Sequence, residues 1–143
     1  MGYYLQAAIG KRIDERISAP DGHVRIVSLS DEFSLVPITD ELFDALGGGV
    51  PGPHFEKLSP AVEQWVKELS RFGPIAYVEA EFSGGVGSQS AVVYDSGAVI
   101  VHPIHSTDAI NQALRHLGAS KGDATDEFEA LGLPMHRNTR DWR

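Results

Sequence analysis

The sequence predicts an α+β fold in one domain spanning residues 1–143: an antiparallel sheet of about five or six strands with helices packed on one face. Three observations lead there. Strand-like segments follow one another across turn signals instead of alternating with helices, which favours hairpins over a parallel sheet. Two segments, residues 60–72 and 107–117, carry apolar stripes at helical spacing and need a sheet face to cover. A chain of 143 residues with 42% hydrophobic and 22% charged residues has the composition of one ordinary folded domain.

Tyr3 to Ile9, rich in aromatic and aliphatic side chains, reads as the first strand. The charged stretch Lys11 to Arg16 reads as a short helix or a loop. Pro20-Asp21-Gly22 reads as a turn, because proline presets φ and glycine accepts φ > 0. Val24 to Leu29 and Phe33 to Ile38 are two short strands with a hairpin at Ser30-Asp31-Glu32, and Pro37 marks an edge or a strand end. Thr39 is expected to cap a helix reaching Leu46, with Asp40 and Glu41 where negative charge suits the free N–H groups. Gly47-Gly48-Gly49 stops that helix, and residues 47–58, with four glycines and two prolines, form a loop.

Ser59 caps the next helix and Pro60 opens it. Val62, Trp65, Val66, Leu69 and Phe72 form its stripe, and Gly73-Pro74 ends it. In Ile75 to Phe82, Ala76, Val78, Ala80 and Phe82 share one face while Glu79 and Glu81 share the other, wet one. Ser90 to Tyr94 and Ala98 to His102 complete a meander around the tight turn Asp95-Ser96-Gly97. Ser106 or Thr107 then caps a helix striped by Ile110, Ala113, Leu114 and Leu117 and ended by Gly118. A short helix from Asp126 to Leu131 and an irregular tail follow.

Charge narrows the function classes. Against 20 Asp and Glu there are 12 Lys and Arg, a net charge of −8. Nucleic-acid binding and attachment to an anionic membrane surface both need a basic face, so neither is expected. Without cysteine there is no disulfide, thiolate nucleophile or Cys-ligated zinc. No apolar run is long enough to span a bilayer, and the start Met1-Gly2-Tyr3-Tyr4-Leu5-Gln6 has neither the basic nor the apolar region of a signal peptide. A cytoplasmic protein is expected, with no cofactor.

Four features are candidates for chemistry. The loop Ser83 to Ser90 holds Gly84, Gly85 and Gly87, which permit close approach of another group, and Ser88, Gln89 and Ser90, which present hydrogen-bonding groups. It lacks the lysine of a P-loop and the strand-then-helix setting of a dinucleotide fingerprint, and its plainer reading is a wide hairpin loop or bulge whose glycines satisfy geometry. His102 and His105 are the one close histidine pair; a metal there needs a third ligand such as Asp108 or Glu79, and the plain alternative is two solvent-facing or capping side chains. Glu79 and Glu81 are spaced for acid–base work, although an exposed Glu-x-Glu is the common outcome.

The fourth feature is charge segregation. Ile26 through Glu56 holds six acids (Asp31, Glu32, Asp40, Glu41, Asp44, Glu56) and no Lys or Arg; Phe72 through Leu114 holds four (Glu79, Glu81, Asp95, Asp108) and again no Lys or Arg. Folded together, these segments form a negative surface able to steer a basic partner; apart, they serve solubility.

The run Ile75-Ala76-Tyr77-Val78-Glu79-Ala80-Glu81-Phe82-Ser83-Gly84-Gly85-Val86-Gly87-Ser88-Gln89-Ser90-Ala91 resembles a block in small bacterial proteins grouped with immunity proteins of polymorphic-toxin systems. Ala109 to Leu114 and Asp126 to Leu133 resemble further blocks of the same proteins. The resemblance implies a cytosolic, single-domain binder that neutralises a toxin, and it brings no catalytic residues. The expected function is therefore a non-enzymatic protein-binding domain, a monomer or weak homodimer, that inhibits a basic toxin domain. Asp40, Glu41, Asp44, Tyr77, Glu79 and Glu81 are the expected partner-binding residues, with Tyr77, Phe55 or Trp142 as anchors. The alternative is a small ligand- or metal-binding protein or enzyme whose site is the 83–90 loop with His102 and His105.

Overall fold

A computed structural model describes residues 2–13, 23–83 and 86–142. The proposed turn at Pro20-Asp21-Gly22, and Gly84 and Gly85, lie outside these residues. The elements are β1 (Tyr3–Lys11), β2 (Val27–Ser28), β3 (Phe33–Pro37), α1 (Asp40–Ala45), α2 (Pro60–Leu69), β4 (Ile75–Ser83), β5 (Val86–Asp95), β6 (Ala98–Ser106), α3 (Ala109–His116) and α4 (Glu127–Ala130). The six strands form one sheet in the order β2-β3-β1-β4-β5-β6. Every pairing is antiparallel. The α+β class is as the sequence predicts. Among the described residues, no helix is long and apolar enough to cross a membrane.

The helices, however, cover both faces of the sheet, not one. One face carries Leu5, Ala7 and Ile9 of β1, Ala76, Val78 and Ala80 of β4, and Ala91 and Val93 of β5; these pack against Ile110, Ala113 and Leu114 of α3. Trp142, 1% exposed, closes that core from the tail. The opposite face carries Ala8, Val36, Tyr77, Val92 and Tyr94, packed against Leu42 of α1 and Val62, Trp65, Val66 and Leu69 of α2. The physical cause is the near-continuous apolar sequence of β1 and the first half of β4. Such strands leave no face for water and require a layer on each side.

The caps follow the local chemistry. Thr39 Oγ1 accepts from Leu42 N at 3.2 Å, and Ser59 Oγ accepts from Val62 N at 3.3 Å. At α3 the expected Ser106 or Thr107 cap is replaced. Asp108 occupies the cap position without a capping bond, and Gln89 Oε1, reaching across from β5, accepts from Ile110 N at 2.9 Å. At the other end of α2, Ser70 Oγ donates to Lys67 O and accepts from Gly97 N, which ties the β5–β6 turn to the helix.

Strands β5 and β6 run well past the bounds the sequence suggests, whereas β2 keeps only Val27–Ser28 of the expected Val24 to Leu29. β5 begins at Val86, so Gly87, Ser88 and Gln89 are strand residues and not a loop. Gly87 lies opposite Phe82, and a Cβ there would sit 1.9 Å from Glu81 O, so glycine serves the close approach of β4 and β5. β6 continues through Pro103 to Ser106, with register irregularities opposite Val92 and between Val93 and Tyr94. Proline fits there because β6 is an edge strand and the irregularity spares a ladder bond.

The tail completes β1. Strand β3 pairs only with Ala7 to Lys11, which leaves the start of β1 without a neighbour on that side. Residues 137–139 fill the gap: Tyr4 N donates to Arg137 O at 2.8 Å, and Gln6 N donates to Thr139 Oγ1 at 3.0 Å.

Candidate functional site

The register places one polar residue of each of four strands in a single row. Gln6 of β1 lies opposite Glu79 of β4, Glu79 opposite Ser90 of β5, and Ser90 opposite His105 of β6. The next row holds Tyr4, Glu81 and Ser88. Because side chains alternate along strands, all of these point to the face that α2 covers, but beyond the reach of that helix. The loop 51–58 crosses them instead. Between loop and sheet lies a cleft of about 260 Å³, walled by Tyr4, His54 and Glu56 and floored by Glu79, Ser90 and His105.

Glu79 is the fixed point of the cleft. It is 5% exposed, and each oxygen is occupied: Oε1 accepts from Glu56 N at 2.6 Å, Oε2 from Lys57 N at 2.9 Å and from the Tyr77 hydroxyl at 2.6 Å. Burial pushes its carboxyl above the usual glutamate range, while the bonds from Tyr77 and the two backbone N–H groups pull the other way. Its role is to hold the loop down. Two further Tyr–Glu contacts lie on this face: Tyr4 donates to Glu56 Oε2 of the loop, and Tyr94 donates to Glu63 at 2.7 Å, tying α2 to the sheet. Burial, followed by the adjoining carboxylates, raises both tyrosines, so their hydroxyls stay protonated donors.

His105 is not paired with His102. Its ring stacks on His54 at 4.0 Å between centroids, 13° from parallel. Ser90 Oγ donates to His54 O at 2.7 Å and lies 3.0 Å from His105 Nδ1. The hydroxyl has one proton and the carbonyl takes it, so Nδ1–H must be the donor to Ser90. Ser90 therefore holds the imidazole in place and is not aligned to pass its own proton to it, as a nucleophilic serine would. Asp108, suggested as a third metal ligand, instead accepts from Ser106 and Gln112, whose bonds hold its carboxyl below the usual range. Among the described residues, no three His, Asp or Glu side chains converge as a metal site requires.

The residues expected at a partner surface separate into three groups. Glu81 is exposed at the cleft mouth, with Glu79 buried beneath it. Asp40 and Glu41 line a neighbouring hollow of mixed charge with Lys57 and Arg140; Lys57 Nζ is 3.0 Å from Asp40 and also donates to Ile38 O. Asp44 is exposed on α1 and lines neither cavity. Tyr77 is fully buried and Trp142 nearly so, which removes both as anchors for a partner; both serve the protein's own cores. Phe55 remains half-exposed against Tyr77. Gln89, expected among the ligand-binding residues, instead faces the other side of the sheet and caps α3.

Tyr4, Gln6 and His54 are cleft residues that the sequence reading passed over. The first two had a signal, a polar period-two pair in an apolar strand that matches Glu79-x-Glu81 and Ser88-x-Ser90. His54, in a loop, had none. No family model matches the chain, and neither a curated protein nor a solved structure does.

Proposed function

We propose that the chain is a non-enzymatic protein-binding domain of the immunity type, cytoplasmic, which holds a basic toxin domain at the cleft under loop 51–58. The observation that supports this reading is convergence of the two segments without Lys or Arg. Glu56 comes from the first and Glu79 and Glu81 from the second, and all line one cavity whose described walls include no Lys or Arg. A cationic side chain entering it meets carboxylates at the mouth and Tyr4 along the wall. The loop is already pinned by Glu79 and Ser90, so little ordering cost is left for binding.

The test is affinity capture from bacterial lysate with wild-type bait, a Glu56→Lys/Glu81→Lys bait and an Asp95→Lys bait, at low and high salt. Capture of a basic protein by wild type and Asp95→Lys, lost in the double variant and at high salt, is the expected outcome. Equal capture by all three baits sinks the reading. A second reading, a small-molecule site, draws on the row Glu79, Ser90, His105 in the same cleft. A metabolite retained by the wild-type bait in native mass spectrometry, with no protein partner, favours it.

A further inference from the structure

A second hollow of about 400 Å³ adjoins the acidic cleft at loop 51–58. Its walls are apolar: Val50, Pro53, Phe55 and Leu58 from the loop, Pro60 from the start of α2 and Pro103 from β6. Val50, on the rim of this hollow, is 83% exposed. His54 and Phe55 line both hollows, so these two consecutive residues are the ridge between them. No Lys or Arg is among the described residues lining either hollow. The acid in the second one, Glu63, already accepts from Tyr94 and lies 3.9 Å from Lys67. One hollow thus offers negative charge and the other offers apolar surface, across a ridge that hydrogen bonds and prolines hold rigid.

We infer that the partner presents a short extended segment bearing an arginine or lysine and a large apolar residue two positions apart, seated astride the His54–Phe55 ridge with the cation in the cleft and the apolar side chain in the proline-walled hollow. This rests on the reading of the cleft as the partner's site. The spacing follows from the shared wall: His54 and Phe55 line both hollows, so about one side chain's width separates them, and in an extended peptide side chains i and i+2 project to the same side about 6–7 Å apart. The pairing follows from charge and burial. The cation supplies attraction that an acidic chain directs, and the apolar residue removes Val50 and Phe55 from water. A polyanion or an acidic peptide is disfavoured by both hollows.

The experiment is an amide NMR titration of the full-length chain with acetylated tripeptide amides: Arg-Gly-Phe and Phe-Gly-Arg as candidates, with Arg-Gly-Gly and Gly-Gly-Phe as controls. One of the two candidates is expected to bind at least about fivefold tighter than Arg-Gly-Gly, a difference of about 1 kcal/mol. It should shift the amides of Val50, Gly52 and Leu58 as well as those of Glu56 and Glu81. Val50→Asp, a change at an exposed position, should abolish that advantage and leave Arg-Gly-Gly binding intact. If Arg-Gly-Gly shifts Glu56 and Glu81 but neither candidate binds tighter, the two-hollow inference is wrong and the cleft reading stands. If no arginine peptide shifts Glu56 or Glu81, both fall together.

Discussion

The two faces of the sheet are built from the same strands and end differently. On the α3 face the alternate residues of β1, β4 and β5 are Leu, Ile, Val and Ala, and a helix plus the docked tail cover them. On the α2 face the same strands begin apolar, with Ala8, Tyr77 and Val92, and turn polar within one step, at Gln6, Glu79 and Ser90. The helix stops where the polar rows start, and a pinned loop takes over. The α3 face spends its side chains on stability. The other gives up part of its core for a concave, hydrogen-bonded surface, and that concavity is where binding is expected.

The largest effect that tests this division lies on the stabilising face. Trp142→Ala removes a nearly fully buried indole from the α3-side core and should lower unfolding free energy by about 3–5 kcal/mol in a denaturant titration. The cleft chemistry should be unchanged in whatever fraction stays folded. A loss below about 1 kcal/mol would mean the tail does not close that core.

Glu79→Gln probes the other face. The amide places a donor where two backbone N–H groups and a hydroxyl now donate, and the expected cost is about 1–3 kcal/mol. Hydrogen exchange at Glu56 N and Lys57 N should accelerate, since those bonds hold the loop. The pH dependence has a definite sign. The folded carboxyl, raised by burial, binds its proton more tightly than the unfolded one. Its contribution is thus fully present below the ordinary glutamate value and is lost as pH rises through the raised one. The gap between wild type and Glu79→Gln should widen as pH falls through that window. A gap that narrows instead contradicts a raised Glu79.

Gln89→Ala comes next. It leaves Ile110 N without its acceptor and should cost about 1 kcal/mol, seen as a small drop in thermal midpoint. Loss of partner or ligand binding with unchanged stability would return Gln89 to the site.

Much of this division was legible in the sequence, and the misses have physical causes. The meander β4–β5–β6, the Thr39 and Ser59 caps and the stripes of α2 and α3 followed from period and capping chemistry. Helices on two faces did not. Glu79 and Glu81 suggested a wet face, but one glutamate can be buried when backbone N–H groups and a tyrosine meet it, and those partners come from residues 56, 57 and 77. The three glycines near residue 85 suggested a wide loop, because sequence cannot distinguish a glycine needed for a turn from Gly87, needed for strands to touch. The acid-only segments were visible as runs, whereas their meeting at Glu56 and Glu81 depends on the loop's path over the sheet.

The smallest expected effect separates structural charge from binding charge. Glu79 and Glu81 are two residues apart on one strand face, yet one is 5% exposed with three donors and the other is open to solvent. Glu81→Lys should therefore change stability by no more than about 0.5 kcal/mol, because it breaks no buried contact. Its consequence should appear in association instead. Reversing a charge at the cleft mouth slows encounter with a basic partner and flattens the salt dependence of the on-rate, while the off-rate moves less. Stopped-flow or surface-based kinetics at two salt concentrations read both quantities. A Glu81→Lys protein that keeps its stability and also its on-rate would place the binding surface elsewhere, and the polar rows of the α2 face would then be only the seat of a loop.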